Sequence, residues 1–260
     1  MTHFQNPVDL RAACRSGAYD GPTSGHAKGY IQANMVILPV SEAEDFKKFC
    51  ERNPKPCPLL EVLDPGDPEP RYCAPGADIR TDLSRYRIFR KGLAEGDVTD
   101  ISDIWEDSFV TFLLGCSFTA EEALISAGLE PRHIKETGIV PMFRTNKFTK
   151  AVGRFNGPFV VSMRPYTPED ARRAAMVTAK YPMAHGGPIQ IGDPEALGIR
   201  DITAPEYGNP VTIMDDELPV FWACGVTPQE AILNARPRIA ITHTPGYMFV
   251  SDIEADKGAA

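Results

Sequence analysis

Runs of consecutive apolar residues recur along the chain, each closing on a polar or glycine-rich turn. Several then pass into a segment whose apolar positions return every three or four residues. A short unbroken apolar run reads as a buried strand, and a spacing of three to four reads as one face of a helix. The pattern therefore predicts alternating strands and helices. Residues 8–16 read as a helix, 31–39 as a strand, and Ser41, with Glu44 three positions on, as the cap of a second helix. Further strands are expected at 85–90, 140–146, 157–164, 238–243 and 247–251, and a helix capped by Thr167 at 168–179.

One pattern occurs twice. Residues 109–114 and 219–222 are apolar, each run reaches a cysteine (Cys116, Cys224), and Thr-x-x-Glu then opens an alanine-rich amphipathic stretch. Thr119 with Glu122, and Thr227 with Glu230, have the spacing of a capping box. Each thiol is then expected between the carboxyl end of a strand and the amino end of a helix. Ligands bind there in α/β proteins, and the helix start favours thiolate. The plain alternative is a buried, inert cysteine. Alternating strands and helices predict an α/β fold, with a mixed, partly parallel sheet, flanking helices, a smaller α+β lobe and this internal strand-helix pseudo-repeat. The expected division is a main domain of 1–129 and 184–260 with an inserted lobe of 130–183.

Between 53 and 76 prolines break the periodicity, as in Asn53-Pro-Lys-Pro-Cys-Pro and Asp64-Pro-Gly-Asp-Pro-Glu-Pro. That density predicts an ordered long loop, and Asn53, Lys55, Cys57, Asp64 and Asp67 are placed to cover a pocket. A hydrophobic content of 43% over 260 residues supports a substantial core, in which Trp105 and Trp222 are expected. The net charge of -8 argues against broad phosphate-backbone binding, and no apolar run approaches the roughly 20 residues of a membrane span. Six cysteines without C-x-x-C spacing, and an amino terminus lacking a basic and then apolar region, predict a reducing, cytoplasmic setting. The expected partner is a small carboxylate or amino acid, with no nucleic acid and no membrane; a homo-oligomer stays open. Zinc motifs, a Walker loop and G-x-G-x-x-G are absent, so no cofactor is expected. Asp64, Asp67 and Glu69 leave divalent-metal stimulation open without forming an EF-hand pattern.

Six motifs carry a resemblance: Arg52-Asn-Pro-Lys-Pro-Cys-Pro-Leu-Leu60, Asp64-Pro-Gly-Asp-Pro-Glu-Pro70, Gly115-Cys-Ser-Phe118, Pro141-Met-Phe-Arg-Thr-Asn146, Phe221-Trp-Ala-Cys-Gly-Val-Thr-Pro228 and Ile241-Thr-His-Thr-Pro-Gly246. Over residues 5–253 the chain resembles the hydro-lyase family related to D-glutamate cyclase. The resemblance implies a lyase, dehydrating D-glutamate to 5-oxo-D-proline or acting on a related amino-dicarboxylate.

Closing glutamate into a lactam needs an acid/base group and an anion clamp. His243, between an expected strand and a Pro-Gly turn, suits proton transfer, with His185 a second candidate. Arg144, Thr145 and Asn146 offer a grip for a carboxylate, and the amides of Ser117 and Gly225 point with the helix starts toward a negative ligand. For each of these an ordinary structural role is the competing expectation. Two quasi-equivalent thiols also fit a racemase or epimerase that works on both faces of one α-carbon. A third possibility is a non-catalytic carboxylate-binding protein.

Overall fold

The computed structural model describes residues 3–255. In chain order the elements are α1 (Pro7–Arg15), β1 (Tyr30–Pro39), α2 (Val40–Arg52), β2 (Leu59–Val62), β3 (Tyr86–Arg90), β4 (Leu93–Val98), β5 (Phe109–Gly115), α3 (Phe118–Ser126), α4 (His133–Glu136), β6 (Met142–Phe148), β7 (Pro158–Tyr166), α5 (Pro168–Thr178), β8 (Gln190–Ile191), β9 (Leu218–Ala223), α6 (Val226–Ala235), β10 (Ala240–His243) and β11 (Phe249–Glu254). Helix starts follow local chemistry where a cap is free to act. Asn6 accepts the Asp9 amide at 2.9 Å ahead of Pro7, and Thr167 accepts the Asp170 amide at 3.2 Å ahead of Pro168. The cap expected at Ser41 does not form: α2 starts directly after Pro39, without a side-chain cap.

The strands form a seven-stranded sheet, ordered β2-β5-β1-β10-β3-β4 with β11 also on β1, and a four-stranded sheet, ordered β6-β7-β9-β8. β1 pairs with β5 along one edge and with β11 and then β10 along the other. The larger sheet is covered on both faces. On one face Phe46 and Phe49 of α2 and Ala231 and Ile232 of α6 meet Val36, Leu38 and Phe112. On the other, the 73–83 segment and Ile101 pack on Met35, Ile37, Leu113 and Ile241. Burial on both faces explains why residues 35–38 are continuously apolar instead of alternating.

Mixed α/β content and flanking helices are present, but the expectation of a partly parallel sheet is corrected. Every strand pairing among the described residues is antiparallel. β5 lies between β1 and β2, and β9 between β7 and β8, all running opposite to them. A strand followed by a helix does not by itself say in which direction the chain re-enters the sheet. The smaller sheet takes β6 and β7 from the 130–183 stretch and β8 and β9 from beyond it. Trp222 is in its core with Tyr166 and Leu124, and Trp105 packs edge-on to Phe109.

Candidate functional site

β5 and β9 end one residue before Cys116 and Cys224, and the chain then hands over to α3 and α6. The two handovers are built alike. Thr119 Oγ1 accepts the Gln32 amide of β1 at 3.2 Å, and Thr227 Oγ1 accepts the Val160 amide of β7 at 3.0 Å. Register makes these positions equivalent: Ala33, next to Gln32, faces Gly115, and Val161, next to Val160, faces Ala223. Each threonine therefore fastens a helix start to the strand beside it. The expected capping boxes are corrected accordingly, since neither helix has a side-chain cap. Their glutamates serve elsewhere, Glu122 pairing with Lys28 at 3.7 Å and Glu230 with Arg144 at 2.8 Å.

The two units touch through Asn34. Its Nδ2 donates to the Gly115 carbonyl at 2.9 Å, and a Cβ added at Gly225 would overlap that same nitrogen. Glycine at 225 lets the start of α6 settle against β1. Between the handovers lies a cavity of about 350 Å³, lined by Cys116, Ser117, Cys224, Gly225, His243 and Asn34. Phe118, Ile139, Val140, Met142, Val226 and Met248 supply its apolar walls.

Burial pushes the Cys116 thiol up to about 12 and that of Cys224 to about 11. The Phe118 amide beside the first sulfur and the Val226 amide beside the second pull downward, as helix starts do, and Arg164 adds a favourable charge to both. Burial outweighs them. The helix-start thiolates expected from the sequence are therefore thiols at neutral pH. His243 Nδ1 accepts the Met35 amide at 3.1 Å, which assigns the hydrogen of the neutral ring to Nε2. Burial lowers its pKa to about 4. It stands at neutral pH as an uncharged donor, whereas an unperturbed value near 6.5 pointed to ready proton exchange.

The family model described as D-glutamate cyclase matches residues 110–252, a span that holds both cysteine units and His243. The chain belongs to the D-glutamate cyclase family. It is 53% identical to "Putative hydro-lyase BLi00500/BL02808" of Bacillus licheniformis over 96% of each chain. It is 51% identical to "Putative hydro-lyase" of Stutzerimonas stutzeri, over 97% of this chain and 95% of that one. With "Putative hydro-lyase YcsI" of Bacillus subtilis it shares 52% over 95% of this chain and 96% of that one.

Other expected site residues of this family member lie away from the cavity. Arg144 donates to Glu230 and to the Tyr207 hydroxyl, and its guanidinium sits 5.3 Å from that ring's centre. Thr145 donates to the Phe159 carbonyl at 2.8 Å, and Asn146 borders a separate hollow with Glu195 and Arg200. The carboxylate grip expected of these three is thus spent on internal partners and another surface. His185 is buried, with Nδ1 2.9 Å from the Lys55 carbonyl and its pKa lowered by burial to about 4. Asn53 joins the Phe49 and Lys150 carbonyls to the Lys150 amide, and Cys57 is in the core beside Cys50.

The 53–70 loop contributes no residue to the cavity lining, so its expected covering role is corrected. Its carboxylates fasten the loop itself: Asp67 accepts from the Glu69 amide and Arg71, and Glu69 accepts the Gly76 amide. Among the described residues no cluster of three or more His, Cys, Asp or Glu is placed to hold a metal, and no helix is long and apolar enough to cross a membrane.

Sequence reasoning passed over Asn34, Gln32, Glu121 and Arg164. The signal for three of them was a polar side chain inside an apolar run: Gln32 and Asn34 in 31–38, and Arg164 after 159–163. Burying such a group is costly unless it is partnered. Arg164, 3% exposed, reaches Glu121 at 2.5 Å and Ser162 at 3.0 Å, and lies 5.4 Å from the centre of the Trp222 ring.

Proposed function

We propose that the chain is a hydro-lyase that cyclises a small amino-dicarboxylate with loss of water, D-glutamate to 5-oxo-D-proline being the first substrate to test. The observation that carries the reading is the convergence of two protonated thiols and a neutral imidazole on one cavity between two helix starts, in a chain of this family. The apolar walls desolvate a bound ammonium and so favour the free amine. The amine attacks the side-chain carboxyl carbon, a C–N bond forms, and a C–O bond breaks. The amides of Ser117, Phe118, Gly225 and Val226 open the helix starts, where developing negative charge on oxygen is favoured. His243 Nε2–H donates to the same oxygen. The ammonium proton passes to the side-chain carboxylate as the free amine forms, and the amine sheds one more as the C–N bond forms, leaving the lactam N–H. Both protons end on the departing oxygen as water, one thiol giving its proton to that oxygen and regaining one from nitrogen while the other donates a hydrogen bond to the developing oxyanion.

A second reading rests on the equivalence of the two handovers. Thiols at matching places in two like units can serve opposite faces of one α-carbon, one removing a proton and the other returning it. Incubation with D-glutamate in deuterated water separates the readings. Cyclisation yields 5-oxoproline by mass spectrometry, isomerisation yields deuterium at Cα without it, and a binding protein gives a calorimetric signal with neither. Absence of 5-oxoproline from D-glutamate and other acidic amino acids removes the proposed reaction.

A further inference from the structure

A second cavity of about 260 Å³ adjoins the first, and Ser24, Phe118 and Gly138 line both. Its floor holds buried polar groups whose capacity is unused. Gln32, 5% exposed, donates through Nε2 to the Thr23 and His26 carbonyls, which fixes the amide's orientation and leaves Oε1 without a partner. His133, 2% exposed, approaches Glu121 through Nε2 at 3.3 Å and has no partner at Nδ1. A buried amide oxygen and a buried ring nitrogen without partners oppose folding unless something fills their demand.

Charge decides what that something is. Burial pushes the Glu121 carboxyl up, but the Arg164 charge and His133 outweigh it and hold it below the usual range, so it is ionised and already paired. At the rim Glu122 faces Lys28. The carboxylates of this cavity are thus matched by cations, and an ammonium or carboxylate arriving there would lose its hydration without a free counter-charge. A neutral donor meets no such penalty.

We propose that this cavity is a subsite for an uncharged hydrogen-bond donor, a hydroxyl or carboxamide, at the far end of a substrate whose amino-acid end lies between the two thiols. Phe118 stands at the junction and sets the length of chain between the ends. The proposal rests on the reading of the thiol cavity as the amino-acid site.

Calorimetry of the full chain with 6-hydroxynorleucine and with norleucine tests it, since the two probes differ only in the terminal hydroxyl. The hydroxylated probe is expected to bind about tenfold tighter or more, because a site built around a hydroxyl penalises its loss. The ratio is expected to fall to about one in His133→Phe and in Gln32→Met. Equal affinities in the unaltered protein, or no binding of either probe, overturn the proposal even if a variant fails to fold. So does a preference that persists in both variants when their melting transitions are intact. Turnover of D-glutamate with equal probe affinities sinks the subsite alone; the hydroxyl preference without turnover sinks the cyclisation and leaves the subsite.

Discussion

At Cys116 and Cys224 two effects act on one sulfur in opposite directions. The helix-start amide of Phe118 or Val226 favours thiolate, and burial favours thiol more strongly, leaving values of about 12 and 11. A group that stays protonated is suited to donate, which is the role the cyclisation gives it. Replacing either cysteine by serine is expected to lower 5-oxoproline formation by about 10²–10⁴-fold, the span of general acid–base contributions. The melting temperature should change little, which scanning calorimetry checks. The imidazoles make a separate prediction. Burial lowers both His243 and His185 to about 4, so between about 6.5 and 4 the unfolded chain takes up protons that the folded chain refuses. Stability is complete above that window and falls as pH drops through it. The urea midpoint should be lower at pH 5 than at pH 7, and His185→Gln should narrow the gap without touching the thiol cavity.

Among the elements, α3 and β7 are joined by the buried Glu121–Arg164 pair, the link between the first handover and the smaller sheet. Arg164→Met leaves the buried Glu121 carboxylate without its cation, with only His133 beside it, and the expected loss is about 3–5 kcal/mol. Glu121→Gln added to it should restore part of that, as denaturant titration of the single and double variants would show. This pair also marks where sequence reading stops. The repeat around Cys116 and Cys224 was legible because an apolar run, a cysteine and an alanine-rich stretch recur in the same order, and Thr167 was legible because its cap is local. Thr119 and Thr227 were misread, because their hydroxyls answer amides of β1 and β7 that sequence spacing does not bring into view. Arg144, Thr145 and Asn146 looked like a clamp for the same reason: their partners Glu230, Phe159 and the 195–200 segment are distant in the chain.

Over the whole molecule the cavity exists because two antiparallel sheets present equivalent strand ends to one another, with β10 bringing His243 to the same place. The alternation of strands and helices was readable as α/β content. Its antiparallel direction was not, since the direction of re-entry is set by long-range pairings such as β1 with β5 and β7 with β9. The site depends on that assembly, not on any one loop; the 53–70 segment, conspicuous by its prolines, braces the larger sheet instead. Proton NMR of D-glutamate with the full-length protein tests the central claim directly. The account predicts steady growth of 5-oxoproline signals that fall away in Cys116→Ser and Cys224→Ser; unchanged D-glutamate with the unaltered protein, or product undiminished in both variants, contradicts it.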